Sequence, residues 1–336
     1  MDTKINIYSR NLNGHRNSYT KVFEEELHAK NLNFKACLFS PKPMFFLMVE
    51  DSFFIYVLTA IIRSLLGLKT LGLVFSVKPV LNHINKRYRA KYYALRLIKF
   101  IPGISSVSIV PFYVDSRIKK ICTDYIYDPQ FWDLGKDELT FFENLSRYNL
   151  DCNVVKYIES LKFDLNEVND KKVVSIGEQS FKKGTPEFIK LSYNYHKNDI
   201  RFIYSGKLDS ESKKCIAEHC NDLLTGVDRF ITDKEIMFSY FLSDVVWCCY
   251  HADYDQASGI FGRALQLGKP VFVRKDSYLH LICLEEGVIH FAMDDLTTVS
   301  DVDVFIRSIT KEPLPLTKTF SRKKHSLDSL KGIYEK

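Results

Sequence analysis

Short apolar runs alternate with amphipathic stretches along most of the chain, and that alternation predicts strands followed by helices. Ile5–Ser9 reads as a strand, 11–17 as a polar loop, Ser18–Lys30 as an amphipathic helix with Ser18 as its cap, and Phe34–Phe39 as the next strand. A βαβ opening of this kind predicts a parallel sheet. Met44–Leu68 is the most apolar stretch, but Glu50, Asp51 and Arg63 interrupt it. Its longest uncharged run, Ser52–Ile62, is too short to cross a bilayer as a helix, so a buried or interfacial helix is expected. Leu71–Phe75 then reads as a strand, Asn82–Phe100 as a helix and Ser106–Val110 as a strand.

Residues Asp124–Lys136 are rich in polar residues and hold Pro129 and Gly135, which marks a connection, with a helical stretch following over Asp137–Arg147. The second half resumes the same rhythm. Strands are expected at Lys172–Ile176, Ile200–Ser205, Asp244–Cys249 and Pro270–Val273. Helices are expected at Pro186–His196, Ser210–His219 and Ser258–Leu267. Repeated strand–helix alternation predicts an α/β protein of two doubly wound, Rossmann-like domains facing a cleft. The expected division is 1–150, 151–315, and a tail 316–336 that crosses back to the first domain as a helix.

Charge separates the halves. Residues 1–150 carry 21 Lys/Arg against 13 Asp/Glu, while 151–336 carry 26 against 28. The basic half is the one expected to meet an anionic partner. Seven of its bases fall between Lys78 and Phe100 with no acid among them, interleaved with Tyr88, Tyr92, Tyr93, Leu95 and Leu97. A basic helix with apolar residues beside an apolar stretch points to an anionic membrane surface in preference to nucleic acid. Eight cysteines form no C-x-x-C pair and several lie in apolar runs, so reduced, buried thiols are expected and no zinc site. The N-terminal residues lack the apolar core of a signal peptide, which gives a cytoplasmic expectation, peripheral on the inner face of the cell membrane.

Three loops carry candidate chemistry. In the first, Gly14 allows backbone to approach a diphosphate or sugar, and His15 has a pKa suited to a general base. His83 and Asp115 are secondary candidates in the same half. In the second, Gly177-Glu-Gln-Ser-Phe-Lys-Lys-Gly184 follows a strand and precedes a helix, where Lys183 can neutralise a phosphate. In the third, Ser258 and Gly259 stand where a loop becomes a helix, presenting backbone N–H groups to an anion.

Together these segments resemble the donor-binding domain of GT-B glycosyltransferases, above all the large retaining family with two glutamates eight positions apart. The matching pieces are Gly177, Lys183-Gly184, the strand at 243–247, the stretch from Asp255 to Ala264, and Gly268-Lys-Pro-Val271. The family's phosphate-binding arginine falls at Glu178, its first glutamate at Asp255 and its second at Arg263. Acid and base are thus exchanged at 178 and 263, and a swapped ion pair across the donor site is one account of the exchange.

The resemblance implies sugar transfer from a nucleotide diphosphate sugar to a glycan or lipid-linked glycan in cell-surface polysaccharide synthesis. It also implies no metal and no cofactor beyond the donor. His15 and Asp255 are then the catalytic candidates, with Gly14, Gly177, Glu178, Lys183, Gly184, Ser258, Gly259 and Arg263 holding the donor. A sugar-nucleotide epimerase or hydrolase on the same fold, or a silent partner protein, are the competing readings.

Overall fold

A computed structural model describes residues 4–10, 15–132, 152–161, 170–197, 199–219, 221–310 and 317–335; for 15–18, 153 and 317–320 it describes the backbone only. Contacts divide the chain into two compact units, Met1–Trp132 with Thr317–Lys336, and Asp133–Leu316.

The first unit is built on β1 (Asn6–Tyr8), β2 (Lys30–Asn31), β3 (Met44–Phe46), β4 (Thr70–Val74), β5 (Ile104–Ser108) and β6 (Asp124–Tyr125), in the order β2-β1-β3-β4-β5-β6. All pairs are parallel. Buried strands with helical crossovers explain the continuous apolar runs of β3 and β4. The helix Thr317–Glu335 belongs to this unit; Ser326 Oγ accepts the Tyr127 N–H at 2.9 Å, and Lys69 Nζ donates to the Tyr334 carbonyl at 3.3 Å.

Several elements differ from the sequence expectation. The segment expected as a strand at 34–39 is the helix Phe34–Phe39, capped by the Asn33 side chain, which accepts from the Ala36 N–H at 2.9 Å. Its apolar run is too short for periodicity to separate helix from strand, and the cap decides. The first helix starts at His15, so Ser18 is not its cap. The apolar stretch 44–68 contains β3 before its helix, Phe53–Leu65. The helix expected over 82–100 is two, Val77–Leu81 and Lys86–Ile98, broken where His83 takes a positive φ and Asn85 caps the second. The helix expected at 137–147 lies outside the described residues.

The second unit holds β7 (Lys171–Ile176), β8 (Ile200–Ser205), β9 (Leu224–Val227), β10 (Val245–Cys248), β11 (Val271–Arg274) and β12 (His290–Met293), again all parallel. Their order is β12-β11-β10-β7-β8-β9. Val173, Phe202, Val245, Trp247 and Phe272 project from the strands into a core closed by the helices Thr185–Asn194 and Val299–Ser308. The chain runs outward from β7 through β8 to β9, then returns to start again at β10 on the other side of β7. The chain therefore proceeds to opposite sides of the sheet after β7 and after β10, and the carboxyl ends of these two adjacent strands mark its switch point.

The outer helix Val299–Ser308 is fastened by Asp303, which accepts hydrogen bonds from the Tyr195 hydroxyl, Lys197 Nζ at 2.5 Å and Arg307 Nε at 2.8 Å. Burial pushes this carboxyl up, but the three donors outweigh it and hold it at about 2, below its ordinary 3.8. A depressed folded pKa contributes stability that is present above the unfolded value and lost as pH falls through the folded one. Asp303→Asn is therefore expected to cost about 1–2 kcal/mol at neutral pH. The gap should close as pH falls from about 4 to about 2. Chemical denaturation across that range checks it; a gap that is constant with pH would count against the assignment.

Candidate functional site

The candidate site lies in the second unit, where the loops after β7 and β10 meet. Gly177, with φ of 90°, turns the chain sharply out of β7. Gln179 then fastens the loop: its buried amide donates to the carbonyls of Ser175 (3.1 Å) and Gly177 (2.9 Å) and accepts from the Ser175 hydroxyl at 2.8 Å. Backbone bonds from Gln179 N to Lys207 O and from Asp209 N to Gln179 O, both 2.9 Å, join it to the loop after β8.

The loop after β10 is stitched to this one. His251 N donates to Lys182 O at 3.1 Å, Trp247 Nε1 donates to Gly184 O at 3.1 Å, and the rings of Phe181 and His251 lie 4.3 Å apart. Lys183 is thereby placed between two tyrosines, its Nζ 4.2 Å from the Tyr250 ring centroid and 4.5 Å from that of Tyr254. Aromatic faces attract a cation without neutralising it, so the ammonium is oriented while its charge stays available to an anion.

A cavity of about 490 Å³ opens here, lined among others by Glu178, Phe181, Lys182, Lys183, Asp209 and Tyr254. Its lining mixes charges: Lys182 and Lys183 share their loop with Glu178, and Asp209 and Glu211 come from the segment after β8. Burial raises the Asp209 carboxyl, but the Ser212 and Phe181 N–H groups, at 2.7 and 3.2 Å, outweigh that and hold it below its ordinary value. Asp209 is thus an ionised acceptor that caps the helix Ser210–Glu218. A molecule that carries both an anionic group and hydroxyls matches this mixture of lysines and carboxylates.

Ser258 caps the helix Gly259–Gln266, accepting the Phe261 N–H at 3.4 Å, and its hydroxyl lies 2.7 Å from that of Tyr250. The N–H groups of Gly259 and Ile260, in the first turn, have no carbonyl of their own helix to meet. The same tyrosine that faces Lys183 therefore also touches the cap of this helix.

Other candidates are placed differently. Asp255 is expected as a catalytic group, but its side chain is 1% exposed; Oδ1 accepts the Tyr278 N–H at 2.8 Å and Oδ2 accepts Arg274 Nη2 at 3.1 Å. Arg274 Nε also donates to Tyr250 O at 3.1 Å. This is the geometry of a brace that shapes the loop carrying Tyr250 and Tyr254. Among the described residues Glu178 makes no ion pair, so the swapped pair with Arg263 is not formed. Glu178 is exposed at the cavity, whereas Arg263 sits in the last turn of its helix, where its charge acts on Tyr240. Gly184 caps the helix Thr185–Asn194 in a left-handed conformation.

In the first unit, His15 is the first residue of the helix His15–Glu26 and its side chain is not described; Gly14 lies outside the described residues. His83 is exposed and packs on Tyr92 at 4.5 Å, and Asp115 pairs with Arg117 at 2.7 Å. Among the described residues no group of three His, Cys, Asp or Glu could hold a metal ion.

No family model matches this sequence, and no curated protein matches it. Solved structures do. The chain is similar to HepE of Anabaena in complex with UDP-glucose, at 12% identity over 99% of this chain and 96% of that one, with a TM-score of 0.57. HepE in complex with UDP covers 97% and 100% at 12% identity, with a TM-score of 0.59. A UDP-forming trehalose-phosphate synthase from Burkholderia xenovorans covers 97% and 77% at 11% identity, with a TM-score of 0.52. The likeness spans both units and shows the fold, two Rossmann-like domains of the GT-B type.

Proposed function

We propose that this chain is a glycosyltransferase that moves a sugar from a nucleoside diphosphate sugar to the hydroxyl of a glycan or lipid-linked glycan, in the synthesis of a cell-surface polysaccharide. The observation that carries the reading is Lys183, oriented by Tyr250 and Tyr254 beside the helix start at Gly259, at the switch point of a β12-to-β9 sheet. Support also comes from neighbours of the same fold that were solved with UDP or UDP-glucose or form UDP.

Transfer breaks the bond between the sugar's anomeric carbon and the diphosphate, and negative charge grows on the leaving oxygen. A fixed ammonium and the first-turn N–H groups of a helix stabilise that charge more in the transition state than in the ground state. Asp209 and Glu178 offer carboxylate oxygens to donor hydroxyls. Asp255 acts through Arg274 by holding the tyrosine loop in place.

Lys183→Ala is expected to weaken UDP binding by roughly ten- to a hundredfold, equivalent to about 1.5–3 kcal/mol for a lost charge-assisted contact. Uridine affinity should hardly change. Calorimetric titration of both ligands against wild type and variant makes the comparison, and equal UDP affinities would remove Lys183 from the diphosphate site.

A further inference from the structure

We infer that the outer faces of the helices Phe53–Leu65 and Lys86–Ile98 form one surface that docks onto an anionic lipid bilayer. The inference rests on the proposed function only for where an acceptor would lie.

β3, β4 and β5 are consecutive neighbours in the first sheet, so right-handed crossovers place both connecting helices on the same side of it. The first helix meets the second and the loop that follows it. Lys91 Nζ lies 5.3 Å from the Phe53 ring centroid, and Ser64 Oγ donates to the Pro102 carbonyl at 2.6 Å. The contacts fall at the same offset along the chain, so the helices run parallel. Each buries one face, through Tyr56, Ala60 and Arg63 on the first and Tyr92, Leu95 and Ile98 on the second.

What remains outside is unusual for a protein surface. Phe54, Leu58 and Leu65 recur along one stripe at 71%, 61% and 83% exposure, and Leu97 and Phe100 along the other at 70% and 78%. Arg87, Arg89 and Arg96 are exposed beside that second stripe. No acid occurs between Asp51 and Asp115 to balance them. Aliphatic and aromatic side chains bordered by arginines on the second helix match a headgroup region above acyl chains. Among the described residues no helix is long and apolar enough to cross a membrane, so the helices lie on the surface.

Charge selects this occupant over two others. A symmetric contact between two copies would set these arginines against each other, which is repulsive. Nucleic acid would meet the charge, and Phe54, Tyr93 and Phe100 offer rings to its bases, but the aliphatic Leu58, Leu65 and Leu97, at 61%, 83% and 70% exposure, would stay uncovered there, whereas acyl chains bury them.

The test is co-sedimentation of the full chain with vesicles of phosphatidylcholine alone or mixed with phosphatidylglycerol, at low and high salt. Two variants are compared with wild type: Arg87→Glu, Arg89→Glu and Arg96→Glu together, and Phe54→Ser, Leu58→Ser and Leu97→Ser together. Wild type is expected to bind only the mixed vesicles, and less at high salt. Each variant should bind at least about tenfold more weakly. Equal binding to neutral vesicles, or full binding by the serine variant, would overturn the inference. So would a dimer that the serine changes dissociate, or a single-stranded oligonucleotide that displaces the vesicles from wild type. UDP titration of the same preparations separates the two proposals: vesicle binding without UDP binding would sink the transfer reaction and leave the bilayer surface standing.

Discussion

Arg63→Met should cost about 3–5 kcal/mol of stability, a large effect for a residue that touches no carboxylate through any of its hydrogen bonds. The side chain is fully buried. Nη1 donates to the carbonyls of Cys37, Leu38 and Ser40 at 2.8, 3.0 and 2.9 Å; Nη2 donates to those of Lys42 and Lys69 at 2.7 and 3.1 Å; Nε donates to Thr70 Oγ1 at 3.2 Å. One guanidinium therefore satisfies the chain between the helix Phe34–Phe39 and β3, and pins it to the entry of β4. Burial lowers its pKa, the expected direction for a cation solvated by dipoles instead of water. Methionine fills the volume but leaves the carbonyls of Leu38, Ser40 and Lys42 without this donor, while those of Cys37 and Lys69 keep the Ser40 and Met44 N–H groups at 3.3 and 3.1 Å. Each costs roughly 1–3 kcal/mol if it stays dry, and water entering beside half-buried Ser40 and Lys42 reduces the total. Lysine at 63 keeps the charge but not the planar fork, and should fall between. Urea denaturation of the three proteins measures this, and a loss below about 1 kcal/mol for methionine would show that the loop finds other donors.

The consequence reaches beyond stability, because Arg63 decides which face of the apolar helix is inside. With Arg63 inward, Phe54, Leu58 and Leu65 point out. From the sequence Arg63 reads only as an interruption, since nothing local announces partners spread from Cys37 to Thr70.

How much else was legible follows the same division between local and tertiary signals. β7, β8, β10 and β11 are apolar runs bounded by Gly, Pro or polar residues, and the helices after them carry caps such as Asp209 and Ser258 close at hand. These elements fall within a residue or two of their expected bounds. Asp124–Tyr125, Leu224–Val227 and His290–Met293 were missed because edge strands are short and only partly buried, so they lack an apolar signature. Loop positions 177–184 and 258–259 were readable from strand–loop–helix order. The tyrosines around Lys183 were not, because they come from a loop more than sixty residues away and meet the lysine only once β7 and β10 pair. A loop with Tyr250 and Tyr254 after an apolar strand was the available clue. The motif's acid at Asp255 invited a catalytic role, and only the positions of Arg274 and Tyr278 reveal the brace.

Gly184→Ala should lower stability by about 3 kcal/mol or more and abolish UDP binding in the fraction that remains folded. Two separate costs add at this position. The residue has φ of +68°, where a Cβ crowds the backbone and costs roughly 1–2 kcal/mol. The Cβ would also lie 2.0 Å from the Cys249 carbonyl oxygen and 3.1 Å from its carbon. Those atoms are backbone at the end of β10, so no side chain can rotate away, and relief requires the two loops to separate. Gly67 provides the control. Its φ is +70°, but a Cβ there meets nothing within 4 Å. Gly67→Ala therefore isolates the conformational cost, and the excess at Gly184 is the cost of close approach between the loops. That approach also sets the Trp247 bond to Gly184 O and the position of Lys183 between its tyrosines. Denaturation curves for the two alanine variants give the stability difference, and UDP titration well below the melting temperature tests the site. Similar losses for both variants would mean that the loops tolerate separation. Retained UDP affinity in the Gly184 variant would mean that the anion site does not depend on their contact.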